Sequence, residues 1–360
     1  MVNVRPLLAE SNRWLTRQYA GLCIDRDWLV MTENGGEMQM LMRHMTTFAA
    51  ALVLASPVSG HHSDAGYDRE TVVAFEAQVS RYVFRNPHVT ISVETEGRRG
   101  EKVEWEIETG STPIMQRSGW SQDLLRPGDL VTVRAHPERT GRLRAILSTL
   151  ETADGRLWSQ IETEAETTVG ASSLAGIWKG VASTSVRRQF SQVELTPVAQ
   201  VARANYDELT DDPNARCIPD PTPFRISSSN YLSGIQILDD QVILRNEFLD
   251  VTRTVYMDGR GHPENGDRTT QGHSVGWWEN DVLVVDTTLF ADFGSGNGAG
   301  VPSGSQKHAV ERYALSEDGT RALVDIFVED PEFLAEPFRG RTEMVYVPHL
   351  QLYRYDCISE

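Results

Sequence analysis

Between residues 71 and 158 apolar and polar positions alternate with a period of two, the pattern of strands that bury one face. The run 72–84 (VVAFEAQVSRYVF) reads as one long strand, and 88–96 with 101–108 as a hairpin across Gly97 and Gly100, in which Val103, Trp105 and Ile107 share a face. A short helix is predicted over 112–118, opened by Ser111 or Thr112, with Pro113 in the first turn, where a missing N–H leaves no bond unmade. Pro127-Gly128 turns the chain into a fourth strand within 125–136, and 143–152 supplies a fifth. Three strands, a helix and two strands is the element order of the OB-fold, a small Greek-key barrel.

Residues 159–173 (SQIETEAETTVGASS) have no period and read as a linker. Alternation then resumes, broken by turns at Asp239-Asp240, at Glu279-Asn280-Asp281 and over 317–320, with a final pair expected around Val347-Pro348-His349. Hairpin after hairpin past Gly234 predicts an antiparallel meander of about eight strands, closed into a barrel that can hold one small ligand. The fold class expected is all-β: an OB-like small barrel over 61–158, then a lipocalin-like antiparallel meander barrel over 174–360.

The one strongly apolar run, 46–58 (TTFAAALVLASPV), follows Arg43 and His44 and ends in Val58, Ser59 and Gly60. It is shorter than the roughly 20 residues a membrane-spanning helix needs, and its order is that of a secretory signal peptide cut after Gly60. Residues 1–60 are thus read as a mis-called extension plus signal peptide, starting in truth at Met38, Met40, Met42 or Met45, and the mature chain as periplasmic or secreted without a stable membrane span. Of three cysteines, Cys23 falls in the discarded segment; the remaining pair, Cys217 and Cys357, is expected to form a disulfide, as an oxidising compartment favours. A formal charge of −17 opposes binding to phosphate backbones, so nucleic acid is not an expected partner. No Gly-rich dinucleotide fingerprint, phosphate loop, nucleophile elbow, His-Glu-x-x-His or Cys-x-x-Cys is present, which gives no reason to expect a nucleotide cofactor.

The segments HHS (61–63), NPH (86–88), GW (119–120), LRPGD (125–129) and DGRLW (154–158), in that order, resemble a family of secreted proteobacterial proteins of unknown function. Residues 174–360 resemble a second, uncharacterised group of exported proteobacterial β proteins through ARCIPDPTP (215–223), DGRGHPE (258–264), GHSVGWWENDVLVVDTTLF (272–290), HAVERY (308–313) and VEDP (328–331). That group commonly carries aromatic residues and a histidine in the loop after the Asp-Thr strand; here the loop reads ADFGSGNGAGVPSGSQ. Neither resemblance implies a reaction.

Candidate sites come from the residues themselves. After cleavage at Gly60, His61 would offer an amino group and an imidazole to one metal, with His62 and His88 as further ligands, a donor set that suits copper; the alternative is a solvated terminus with His88 capping a turn. His273, Asp286, His308 and Glu311 are the candidate catalytic acids and bases, and His262, Trp277, Trp278 and Arg312 the candidate ligand contacts. Asp286, His308 and Arg312 pointing into the barrel would form a charged cluster in an apolar cavity, whereas the same residues at a rim would only fix loops. The Gly-rich loop 291–306 is either a lid or a mobile connection. Three functions stay open: an exported small-molecule-binding protein with a copper-type site, a periplasmic isomerase, dehydratase or hydrolase, and a structural or interaction module.

Overall fold

The computed structural model describes residues 66–97, 99–159, 169–223, 228–298 and 300–358. The expected signal peptide and cleavage point, and residues 160–168 of the expected linker, lie outside them. Both of its sheets fall within one compact unit.

The first sheet takes β1 (Val73–Val83), β2 (Thr90–Glu96), β3 (Lys102–Glu108), β4 (Leu130–Pro137), β5 (Arg144–Thr152) and β6 (Leu157–Ser159), with helix α1 (Thr112–Arg117) between β3 and β4. The strand order is β3-β2-β1-β4-β5-β6, and β3 also pairs with β5 in parallel, Ile107 beside Ala145, which closes five strands into a small barrel. Alternation decides what fills it: Val79, Ile91, Val93, Ile107, Val133 and Leu147 are buried together. The GW, LRPGD and DGRLW segments help to build this barrel. Trp120 and Trp158 meet edge to face at 5.8 Å, and the Asp129 carboxylate accepts the Arg126 amide to hold the turn in which Gly128 takes a φ of 100°. β6, which pairs with β5 at Leu150 and Trp158, is one strand more than expected.

The second sheet is a closed barrel of nine strands: β7 (Gly176–Gly180), β8 (Leu232–Ile237), β9 (Gln241–Asn246), β10 (Val251–Tyr256), β11 (His273–Glu279), β12 (Val282–Thr288), β13 (His308–Leu315), β14 (Arg321–Glu329) and β15 (Phe338–Tyr346). Helices α2 (Val186–Phe190), α3 (Pro197–Asn205) and α4 (Glu208–Asp211) separate β7 from β8. The all-β expectation holds and each predicted hairpin turn before the last falls between paired strands. Two details differ. β10 and β11 run parallel, Val255 beside Ser274, because the chain crosses back over residues 257–272 before β11 starts; a two-residue hairpin cannot make that connection.

The last predicted hairpin does not form either. β15 pairs with β14 and β7, and residues 350–358 contain no strand. Side-chain carboxylates take the place of a partner strand: Tyr353 N–H donates to Glu247, and Tyr355 and Asp356 N–H donate to Asp250. Cys357 then bonds to Cys217 over a sequence separation of 140 residues. The same tail joins the sheets, since Asn86 of the NPH motif donates its amide to the Tyr355 carbonyl and to Thr112 Oγ1. Arg117 of α1 grips Glu247 through Nη1 at 2.6 and 2.8 Å, with both side chains buried.

The Gly-rich loop is neither lid nor loose connection. Ser295, Asn297, Val301, Ser303 and Lys307 are all buried. Asn297 Nδ2 and the Gly304 amide both donate to Asp330 Oδ2, and Lys307 Nζ donates to the Gly296 carbonyl at 2.9 Å.

Candidate functional site

Register settles which residues face the barrel interior. On β12, Leu283 and Val285 belong to the barrel core whereas Val284, though buried, does not, which puts Asp286 on the outer face; on β13, Ala309, Glu311 and Tyr313 are buried, which turns His308, Val310 and Arg312 outward. The expected inward cluster of Asp286, His308 and Arg312 is therefore corrected. Of the candidates, Glu311 is the charged one that points inside, and the histidines gather on the outer face.

Inside, Glu311 Oε2 accepts Arg253 Nη1 at 2.5 Å, Glu311 Oε1 accepts the Tyr313 hydroxyl at 3.0 Å, and Arg253 Nη2 reaches Tyr313 Oη at 3.4 Å. Burial works to lower the Arg253 pKa, but the Glu311 carboxylate more than offsets it and the guanidinium is held charged. Burial, then the Glu311 charge, push the Tyr313 phenol well above its ordinary value. These three side chains line a small, partly open cavity of about 50 Å³. Its apolar wall comes from Pro221, Pro223, Ile235, Leu244, Val251 and Met344. The 215–223 motif lies along it: Thr222 donates to Gln271 Oε1, and Gln271 Nε2 donates back to the Asp220 carbonyl.

Outside, at the end where β11 and β13 begin and β12 and β14 finish, five side chains form one chain of contacts. His273 Nδ1 lies 2.9 Å from His262 Nδ1, His262 Nε2 lies 2.9 Å from Asp286 Oδ1, Asp286 Oδ2 lies 2.9 Å from His308 Nε2, and His308 Nδ1 lies 3.1 Å from Glu329 Oε1. The crossover 257–272 supplies His262, and the strands supply the rest. Hydrogen bonding to Asp286 first, then to Glu329, against the effect of burial, raises the His308 pKa to about 9. Burial alone would raise the Asp286 carboxyl; the two imidazole donors outweigh it and leave the pKa below the usual carboxylate value. Burial, then the His262 and Arg260 charges, lower that of His273. Tyr256 stacks on His273 with ring centres 5.2 Å apart, and Arg260 lies 4.2 Å over the Tyr256 ring.

The other candidates fall elsewhere. Arg312 pairs with Glu279, both well exposed, so it belongs to neither group. Trp277 and Trp278 are 42% and 43% exposed, so neither is a core residue; they stand near the end of β11, where Trp277 Nε1 donates to Glu279 Oε1. His61 and His62 lie outside the described residues. His88 Nδ1 is 3.1 Å from the Thr109 carbonyl and 3.2 Å from Glu108 Oε1. Among the described residues no three His, Cys, Asp or Glu side chains are placed to hold a metal ion.

The sequence reading missed Arg253, Tyr313, Gln271 and Glu329. A signal existed for two of them. Arg253 alternates with Val255 on the buried face of β10, and Tyr313 with Ala309 on that of β13; a charge at an inward position requires a partner on another strand.

Residues 50–147, from the apolar run into β5, match the model of a family of unknown function (DUF6152). No curated protein matches the chain. The solved structures similar to it include the crystal structure of a mutant of the fluorescent protein UnaG, at 11% identity and a TM-score of 0.24, with 48% of this chain and 95% of that one covered.

Proposed function

We propose that this chain is an exported protein whose C-terminal barrel, 174–360, binds one compact, largely apolar small molecule in its interior, with the OB-like barrel, 61–158, preceding it in the chain. The observation that carries this is the cavity against Arg253, Glu311 and Tyr313. A barrel core that served packing alone would fill with apolar side chains, which are commonly as stable as, or more stable than, a buried ion pair. Here charged and hydroxyl groups instead border unfilled space with an apolar opposite wall, the composition of a ligand pocket. Export is supported by the basic, apolar, small-residue order of 43–60 and by the Cys217–Cys357 bond. Among the described residues no helix is long and apolar enough to cross a membrane.

The test is thermal unfolding with phenol and cyclohexanol, each a six-membered ring with one hydroxyl. A ligand that binds only the folded chain raises the melting temperature in a saturable way. The expected result is such a rise in the wild type and none in Val251→Trp, which fills the cavity from β10. Equal shifts in both, or none in the wild type, contradict the proposal.

A further inference from the structure

The outer chain of contacts has a direction, which follows from where its hydrogens must be. Asp286 is an acceptor only, so it takes an N–H from His262 Nε2 and another from His308 Nε2. Glu329 takes the second N–H of His308, which is thereby held doubly protonated and has no nitrogen left for exchange. The two facing Nδ1 atoms of His262 and His273 share one hydrogen. When the His262–His273 pair is neutral, His262 has spent its only N–H on Asp286, so the shared hydrogen belongs to His273. The lone pair of the pair then sits on His273 Nε2, for which no partner exists among the described residues.

A proton taken up by this pair enters at that atom in every arrangement. If the shared hydrogen stays on His273, His273 carries the charge. If it slides to His262 Nδ1, the charge moves next to Asp286, and His273 is left neutral with its hydrogen on Nε2. No contact breaks in either case. A group that gains and loses a proton without losing a bond, backed by a carboxylate, meets the geometric requirement for a general base. His273 is partly exposed, and burial together with the neighbouring charges lowers its pKa, which keeps the base form populated at neutral pH.

The nearby cation indicates the substrate. Arg260 donates Nε and Nη2 to Asp258; Nη1 is not used in that pair, and the side chain is half exposed. We infer that the rim is an acid–base site for a small carboxylate-bearing carbon acid, with His273 Nε2 as the proton-accepting catalytic atom, Arg260 receiving the carboxylate, and His262 and Asp286 as positioning residues. His273 takes the proton from the carbon beside a carbonyl, and the C–H electron pair becomes the enolate double bond with its charge on oxygen. The proton then returns to that carbon or to a neighbouring position, so the sequence needs no oxidant or reductant. This site is independent of the interior cavity, and either assignment stands if the other fails.

Pyruvate in D₂O is the probe, read as loss of its methyl proton signal in the presence of the whole chain. Wild-type exchange is expected to exceed that of equimolar free imidazole on the order of 10²-fold, with His273→Gln reduced to the imidazole level. Asp286→Asn should move the acid limb of the exchange profile to lower pH, because the carboxylate that stabilises the charged pair is gone. Arg260→Gln should raise the pyruvate concentration for half-maximal exchange. Wild-type exchange no faster than imidazole, or His273→Gln equal to the wild type, overturns the acid–base site; an Arg260→Gln chain indistinguishable from wild type overturns the carboxylate contact. Nitrogen-15 correlation spectra of the unmutated chain above the His273 pKa give a further reading that does not depend on variants folding: hydrogen on His273 Nδ1 is required, and hydrogen on Nε2 overturns the relay.

Discussion

Glu311 is fully buried, and its two oxygens are used by Arg253 and Tyr313. Removing the carboxylate alone leaves a guanidinium in the barrel interior with no counter-charge, so Glu311→Ala is expected to cost about 3–5 kcal/mol in denaturant unfolding. The double variant Arg253→Met with Glu311→Leu should cost clearly less, and equal losses would contradict the pairing. Lys307 has the opposite problem. Burial lowers its amine to about 7 from an ordinary value of 10.5, although Asp330, Asp220 and Glu311 oppose the shift. Between those two values the unfolded chain holds more protons than the folded one, so stability rises with pH by on the order of 4 kcal/mol. Lys307→Met should flatten that rise, measured as urea midpoints at both ends of the window. His308 carries the reverse sign: its pKa is raised to about 9, so its contribution is complete below the ordinary 6.5 and is lost as pH climbs through 9. A proton NMR titration of its ring should give that midpoint and should fall toward the ordinary value in Asp286→Asn.

Among the elements, the tail after β15 tests how the molecule is held together. Its backbone donates to Glu247 and Asp250, and Cys357 ties it to the segment before the cavity wall. Replacing both Cys217 and Cys357 with serine is expected to cost about 2–5 kcal/mol. Arg117→Met, which strands Glu247 without its partner cation, should cost about 3–5 kcal/mol, and a loss under 1 kcal/mol would show that the joint is not buried as described. Strand positions were legible because alternation survives wherever one face packs: β1, β4, β5 and the hairpins β8–β9, β11–β12 and β13–β14 follow the apolar pattern. Which face points inward was not. In HAVERY one face offers His308, Val310 and Arg312 and the other Ala309, Glu311 and Tyr313, so both mix apolar and charged residues. The choice rests on Arg253, 58 positions earlier. The parallel β10–β11 pair was equally hidden, since a crossover without helix resembles a long hairpin loop. His262, His273, Asp286 and His308 were recognisable as candidates from residue type, but the contact that unites them depends on how that crossover lies.

For the whole molecule, two closed sheets, a covalently tied tail and a partly polar cavity fit a protein that works outside the cytosol and holds a small guest. Export predicts an intact mass for the secreted chain that starts at His61 and is two hydrogens lighter than the reduced polypeptide; a mass that retains Met1 contradicts it. The guest itself is tested most directly by carbon-13 methyl spectra of the folded chain on addition of cyclohexanol. Ile235, Leu244, Val251 and Met344, which wall the cavity, should shift together and saturate, while the methyls of Val79, Ile91 and Leu147 in the first barrel stay fixed. Unchanged methyls at those four positions, or shifts spread over both barrels, would contradict a binding site inside the second barrel.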